Sequence, residues 1–374
     1  MKIAEFGVEL WMNEFETKCE LNLAETCVAS LSIAELLALA GRNDTSLVEL
    51  LPMRMTYGAI EGSDRLRDAI AALYERQGRA NLVVTHGTIG ANALVHQTLV
   101  SRGDRVIAVV PTYQQHYSIP EIIGAEVAPL RLRAENDFLP DLEELRRLAA
   151  GGVTLIALNN PNNPTGALID RAMLEDIVAI AREAGAWLLS DEVYRGADQD
   201  GPGMTVSVAD LYEKGISTCS MSKAFSLAGL RLGWIAAPEE VIRAVMIHRD
   251  YNTISVGVID DYFAAIALEA QDKILGRSRQ ITRGNLARLS EWVDAEPLIT
   301  WVKPRAGTTA LLRYDLPLSS RDLCVAILEE TGVMFTPGAA LDMEGWVRIG
   351  FACDPGVLSE GLARVSRFLA DRAA

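Results

Sequence analysis

Short, unbroken apolar runs alternate with amphipathic stretches along most of this chain. Leu82-Val83-Val84, Val106 to Val110, Val153 to Leu158 and Ala186 to Ser190 are runs with scarcely a polar interruption. A strand with one wet face alternates polar and apolar residues, whereas an unbroken run marks a strand buried on both faces. Between the runs, Asp64 to Gln77 and Arg171 to Ala184 repeat apolar residues at helical spacing and predict helices. Strands alternating with helices imply an α/β fold, with a mostly parallel sheet covered on both faces. Ligands in such sheets sit beyond the carboxyl ends of the strands. From about residue 285 the pattern changes. Short strands are predicted at Ala310 to Tyr314 and Trp346 to Phe351, and helices at Ser320 to Thr331 and Leu358 to Leu369. We therefore expect a large domain over 46–284 and a smaller α+β domain built from 1–45 and 285–374, with no Pro/Gly-rich linker between them.

The length of 374 residues suits two such domains, and 49% hydrophobic against 23% charged residues is the balance of a globular chain. A formal net charge of -15 argues against nucleic acid or an anionic membrane as partner. Glu5 and Glu9 interrupt the region where a signal peptide needs an apolar stretch, and no run is long enough to span a bilayer. A cytoplasmic location is the expectation. The five cysteines are scattered without a C-x-x-C pair, and the four histidines lack ligand spacing. Free thiols and no metal site follow.

Four segments carry candidate chemistry. Lys223 stands in Ser220-Met221-Ser222-Lys223, after the strand-like Ile216 to Cys219, with Arg231 eight residues on between Gly229 and Gly233. A lysine near serines is ordinarily a solvated surface residue. Here hydroxyls and a guanidinium beside an amine make a phosphate pocket next to an imine-forming nitrogen. Asn159-Asn160-Pro161-Asn162-Asn163-Pro164-Thr165-Gly166 follows another strand, though Asn, Pro and Gly are also common turn residues. Ser190-Asp191-Glu192-Val193-Tyr194-Arg195 puts a carboxylate at a strand end. Glu192 should point to the opposite face from Asp191 and serve structure. Thr85-His86-Gly87-Thr88-Ile89-Gly90-Ala91-Asn92 is a small-residue turn opening a helix, suited to holding phosphate on backbone N–H groups.

Together these segments resemble the class I/II aminotransferases of fold type I, which use pyridoxal 5′-phosphate (PLP). The resemblance implies a mostly parallel seven-stranded sheet between helices in the large domain. It gives Lys223 the Schiff-base attachment of the cofactor. Ser220, Ser222 and Arg231 bind the phosphate, joined by Gly87, Thr88 and the backbone of Ile89. Asp191 pairs with the pyridine nitrogen, whose charged form the chemistry needs, and His116 supports Asp191 from behind. Asn163 and Tyr194 face the phenolic oxygen, and Tyr113, in Pro111-Thr112-Tyr113-Gln114-Gln115-His116, stacks on the ring. Arg348, in Trp346-Val347-Arg348-Ile349-Gly350-Phe351, grips the substrate α-carboxylate as a bidentate donor; Asn163 and Ala24 also line the substrate. Tyr57, in Tyr57-Gly58-Ala59-Ile60-Glu61-Gly62, serves the neighbouring subunit's phosphate, which implies a homodimer with shared sites.

The activity so implied is amino transfer between an amino acid and a 2-oxo acid, with Lys223, Asp191 and Tyr194 as the catalytic groups. Two departures keep a second reaction open. Lys303-Pro304-Arg305-Ala306-Gly307-Thr308-Thr309 lacks the aromatic residue that often follows the glycine. The lead-in Val8 to Lys18 resembles that of PLP-dependent cyclases acting on a hydroxylated arginine, and Glu9 or Glu25 would pair with such a cationic substrate. Arg249 stands where some relatives recognise a second carboxylate, which points to the opposite substrate. A cyclase or lyase is therefore the alternative. A non-catalytic regulator on this fold would carry an added DNA-binding domain, for which the stretch before Tyr57 leaves no room.

Overall fold

The computed structural model describes residues 3–43 and 45–373. Its large sheet has seven strands: β1 Leu82–Thr85, β2 Arg105–Val110, β3 Glu126–Arg131, β4 Leu155–Asn159, β5 Trp187–Asp191, β6 Gly215–Ser220 and β7 Gly233–Ala236. They lie in the spatial order β1-β7-β6-β5-β4-β2-β3. Only β7 runs against its neighbours; the other pairings within the sheet are parallel. The apolar runs are two-faced as their pattern requires: Ile107 and Val109 pack into one layer, Val106 with Leu155 and Ala157 into the other. The carboxyl ends of β1, β4, β5 and β6 open on one edge, and there the four candidate segments meet.

A second sheet holds β8 Ile299–Trp301, β9 Thr309–Tyr314, β10 Thr336–Pro337 and β11 Trp346–Gly350, antiparallel in the order β10-β11-β9-β8. The N-terminal segment joins this layer. Leu21–Asn22 pairs in parallel with Val333–Met334, and Trp11 and Leu23 are buried in the core under the second sheet. One helix, Gln271–Ala295, runs unbroken past residue 285. Its Ile274 and Leu275 belong to the first core, and its Leu286, Leu289 and Val293 to the second.

The helices Arg171–Ala184 and Ser320–Thr331 have the predicted bounds. The helix expected over Asp64 to Gln77 instead stops at Ala71. The Asp210 carboxylate accepts from the backbone N–H groups of Glu75 and Arg76, each at 2.9 Å, and draws the chain out of helical register. The last helix is longer than its apolar stripe, Pro355–Ala373. No helix among the described residues is long and apolar enough to cross a membrane.

The N-terminal segment lies directly against Gly350, the last residue of β11. A Cβ there would lie 1.8 Å from the backbone oxygen of Glu25. Backbone cannot swing aside as a side chain can, so Gly350→Ala should destabilise the chain by about 3 kcal/mol or more. Thermal unfolding of the purified variant checks this, and an unchanged Tm would contradict the packing.

Candidate active site

The strand ends enclose a cavity of about 390 Å³, roofed by the N-terminal helix Gly7–Phe15. Lys223 lies three residues past β6 and points its amine into the cavity. Nζ donates to Thr26 Oγ1 at 2.6 Å and lies 3.4 Å from Cys27 Sγ and 3.9 Å from Glu25 Oε1. Burial disfavours the ammonium, but Cys27, Tyr194 and Glu25 outweigh it and push the Lys223 pKa up. Burial also works against the Glu25 carboxylate. Lys223 and the N–H groups of Cys27 and Thr26 overcome it and hold the group below its usual range.

Asp191 ends β5 and is buried beside the cavity. Its Oδ1 accepts from the Val193 N–H at 3.1 Å and its Oδ2 from Asn92 Nδ2 at 2.8 Å. His116 Nε2 stands behind at 3.6 Å, too far for a hydrogen bond but near enough to interact electrostatically. Glu192 does point the other way, accepting from the Val208 N–H and the Ser217 hydroxyl.

Arg348 lies on β11 between Leu311 and Thr336 and is 3% exposed. Its guanidinium donates to Asn163 Oδ1, to the Ala24 carbonyl and to Thr336 Oγ1, while Nε has no partner. Taking up the Asn163 oxygen leaves that amide's N–H groups to donate elsewhere. Tyr194 is buried beside them, and burial keeps its phenol protonated beyond the usual range. Tyr113 lines the opposite side and donates to Glu9 Oε1 at 3.3 Å.

Ser220, Ser222, Thr88, Ile89 and Arg231 border the remaining end. Gly87 adopts a left-handed φ of 67° that turns β1 into the helix Gly87–Leu99, and a Cβ there would approach Arg231 Nη2 at 3.1 Å. The turn thus sets helix N–H groups, a guanidinium and the unpartnered buried hydroxyl of Thr88 around one space. This donor-rich space accommodates a phosphate. With an amine, a buried carboxylate and a spare guanidinium N–H at the other end, the residues fit PLP and an amino acid.

Tyr57 and Arg249 lie outside the cavity. Tyr57 is 74% exposed. Arg249 is fully buried and donates to the Ile60 carbonyl. Glu25 lines the cavity but spends its carboxylate on its own turn and on Lys223, whereas Glu9 lines it from the N-terminal helix and Glu16 from the residue that caps that helix. Sequence reasoning missed Glu16, Thr26, Cys27 and Asn92. Thr26 and Cys27 adjoin Glu25, and that adjacency is their only local signal; Asn92 lies in the turn segment at Gly87, where no local pattern assigns it a role. Among the described residues no group of three or more metal-ligating side chains is gathered.

The family model for aminotransferase class I and II matches residues 36–365. Capreomycidine synthase of Streptomyces vinaceus is 32% identical over 98% of this chain and 94% of its own. Among solved structures, a PLP-dependent aminotransferase from Streptococcus suis superimposes with a TM-score of 0.96 at 40% identity, covering 99% of each chain. A PLP-dependent cyclase, OrfR, does so with a TM-score of 0.92 at 28% identity, covering 100% of this chain and 98% of its own.

The thiol at Lys223 carries a pH-dependent expectation. Burial, against the opposing effect of Lys223, pushes Cys27 up to about 11. Because the thiolate is the reactive form, alkylation of Cys27 should be slow at pH 8 and quicken as pH rises toward 11. Peptide mass mapping after iodoacetamide treatment reads this, and rapid labelling at pH 7 would contradict it.

Proposed function

The chain belongs to the class I and II aminotransferase family and takes pyridoxal 5′-phosphate as its cofactor, and on that premise we propose that it moves an amino group between an amino acid and a 2-oxo acid. The observation that carries the reading is the half-buried amine of Lys223, held by Thr26 in the same cavity as Asp191 and Arg348. Lys223 would hold the cofactor. Ser220, Ser222, Thr88, Arg231 and the backbone at Gly87 and Ile89 would take its phosphate. Asp191 would face its ring nitrogen, Asn163 and Tyr194 its phenolic oxygen, and Tyr113 its ring. When bound, the cofactor supplies an electron sink that makes the substrate's α-proton acidic.

The chain's own residues account for the rest. Arg348 orients the substrate through its α-carboxylate, using the N–H groups left free by Asn163, Ala24 and Thr336. Lys223 Nζ would take the substrate's α-proton as general base and deliver it as acid to the cofactor carbon that bears the transferred nitrogen. Thr26 Oγ1 keeps that amine in place between the two transfers. The helix Gly7–Phe15 roofs the cavity, with Gly7 N–H donating to Gln114 Oε1, and limits water access.

A homodimer with shared sites is part of the same reading. Leu51, Met55, Tyr57 and Tyr251 are unusually exposed for apolar residues, and the segments around Gly58 and Val258 adjoin. A second copy over this face would bury them and bring its Tyr57 to the phosphate end.

A cyclase or lyase reaction, on an amino acid such as a hydroxylated arginine, is the second reading. Glu9 and Glu16 favour it because they bring two carboxylates to the cavity lining, which would suit a cationic substrate side chain. The likeness to capreomycidine synthase and OrfR is its other support. Product stoichiometry separates the two. Given an amino acid alone, an aminotransferase should release about one oxo acid per site and resume only when a second oxo acid is added. A cyclase should turn over many times without one. If no amino acid in a panel containing arginine and its hydroxylated forms gives the first pattern, amino transfer is wrong. Attachment has its own test: borohydride reduction and peptide mapping should put the cofactor on Lys223, and a label on Lys214 or Lys273 would overturn the site.

A further inference from the structure

Asp191 is the visible end of a buried chain of polar side chains that leads away from the cavity. Asn92, which donates to Asp191 Oδ2, is itself oriented by Thr218, whose hydroxyl donates to Asn92 Oδ1 at 2.6 Å. His116 Nε2 faces the same Oδ2 from 3.6 Å. Behind it, His96 Nε2 lies 3.4 Å from His116 Nδ1. Both rings are fully buried, and neither His96 Nδ1 nor His116 Nε2 makes a hydrogen bond, although His116 Nε2 does face the Asp191 carboxylate. His96 is one turn along the helix from Asn92, so a single helix face carries both.

A neutral imidazole has one N–H and one bare nitrogen, and the partner of one nitrogen settles the state of the other. Burial, with a smaller contribution from His116, lowers the His96 pKa well below its ordinary value, so His96 is neutral. Suppose first that His96 Nε2–H donates to His116 Nδ1. The His116 proton then sits on Nε2, facing the carboxylate, and the unpartnered His96 Nδ1 is a bare acceptor. Suppose instead that His116 Nδ1–H donates to His96. A neutral His116 then turns its Nε2 lone pair on the Asp191 carboxylate. Whatever the charge of His116, His96 must in that case carry its proton on Nδ1, a buried donor facing no acceptor, whereas in the first arrangement the unbonded N–H is the one that faces a carboxylate.

We propose that His96 is a positioning residue, which by donating to His116 Nδ1 fixes the His116 proton on Nε2 and keeps a donor behind the Asp191 carboxylate. The consequence for turnover rests on the reading of Asp191 as partner of the cofactor's ring nitrogen; the proton assignment itself does not.

Four histidines make the assignment tractable by ¹⁵N-histidine NMR with single replacements. In the holoenzyme and in the chain stripped of cofactor, His116 should show the neutral Nε2–H pattern. A proton on Nδ1 overturns the proposal, whether or not any variant folds. His96→Phe keeps a ring but removes the donor. It should lower kcat by about tenfold with little change in KM. It should also move the pH midpoint of the bound cofactor's absorbance up by roughly half a unit. His96→Gln, which can donate in its place, should restore the midpoint. Equal behaviour of the Phe and Gln variants, or a native midpoint in the Phe variant, sinks the role. Failure of the Asp191 reading looks different: His116 as stated, but an Asp191→Ala holoenzyme with an unaltered spectrum.

Discussion

The segment from Leu21 to Leu31 is hydrogen-bonded to both cores at once, and the site exists because of it. On one side, Leu23 O accepts from the Gly350 N–H and Ala29 N–H donates to Ala352 O. On the other, Leu31 N–H donates to Ser226 O, and Val28 N–H reaches Lys223 O at 3.4 Å. Between these anchors the strap presents the Ala24 carbonyl to Arg348 and the Thr26 hydroxyl to Lys223, while Thr308 Oγ1 donates to Thr26 O. The side chain that would hold the substrate and the one that would hold the cofactor are thus registered against the same few residues. The absence of a side chain at Gly350 is what permits that approach.

In the cavity, charge is distributed so that Asp191, Glu25 and Arg348 each have a local answer. Asp191 has two donors and a ring behind it, Glu25 has two backbone N–H groups and an ammonium, and Arg348 has three acceptors. Buried charges cost several kcal/mol each unless answered in this way. Among the cavity-lining side chains, the buried atoms left without a partner are Thr88 Oγ1 and Arg348 Nε, donors at the two ends where anionic parts of a ligand would lie. The net charge of the chain says nothing of this; an acidic molecule still gathers Lys223, Arg231 and Arg348 around one cavity.

Most of the site was legible because its elements are contiguous: a strand and the turn that follows it are both written in a dozen residues. Lys223 with its serines, Asp191 with Tyr194, and the turn at Gly87 could be read that way. Thr26 could not, since its partner lies 197 residues away, and neither could Asn92, separated from Asp191 by 99. Those pairings are made by the fold and leave no local pattern. The same holds for the early end of the helix at Ala71, imposed by the side chain of Asp210 from another part of the chain. The large sheet was readable as mostly parallel; the reversed β7 has no signature distinguishing it from a parallel neighbour.

The helix Gln271–Ala295 gives the molecule a mechanical character. A linker lets two bodies swing freely, but a continuous rod of 25 residues with its first half seated in one core and its second half in the other behaves as a leaf spring. Relative motion of the two layers must flex that rod, and the flexure is spread over several turns rather than absorbed at one joint. Opening of the cleft is therefore small in amplitude and elastically restored. Molecules entering and leaving would pass by way of the short roof helix, with the cleft itself remaining nearly shut.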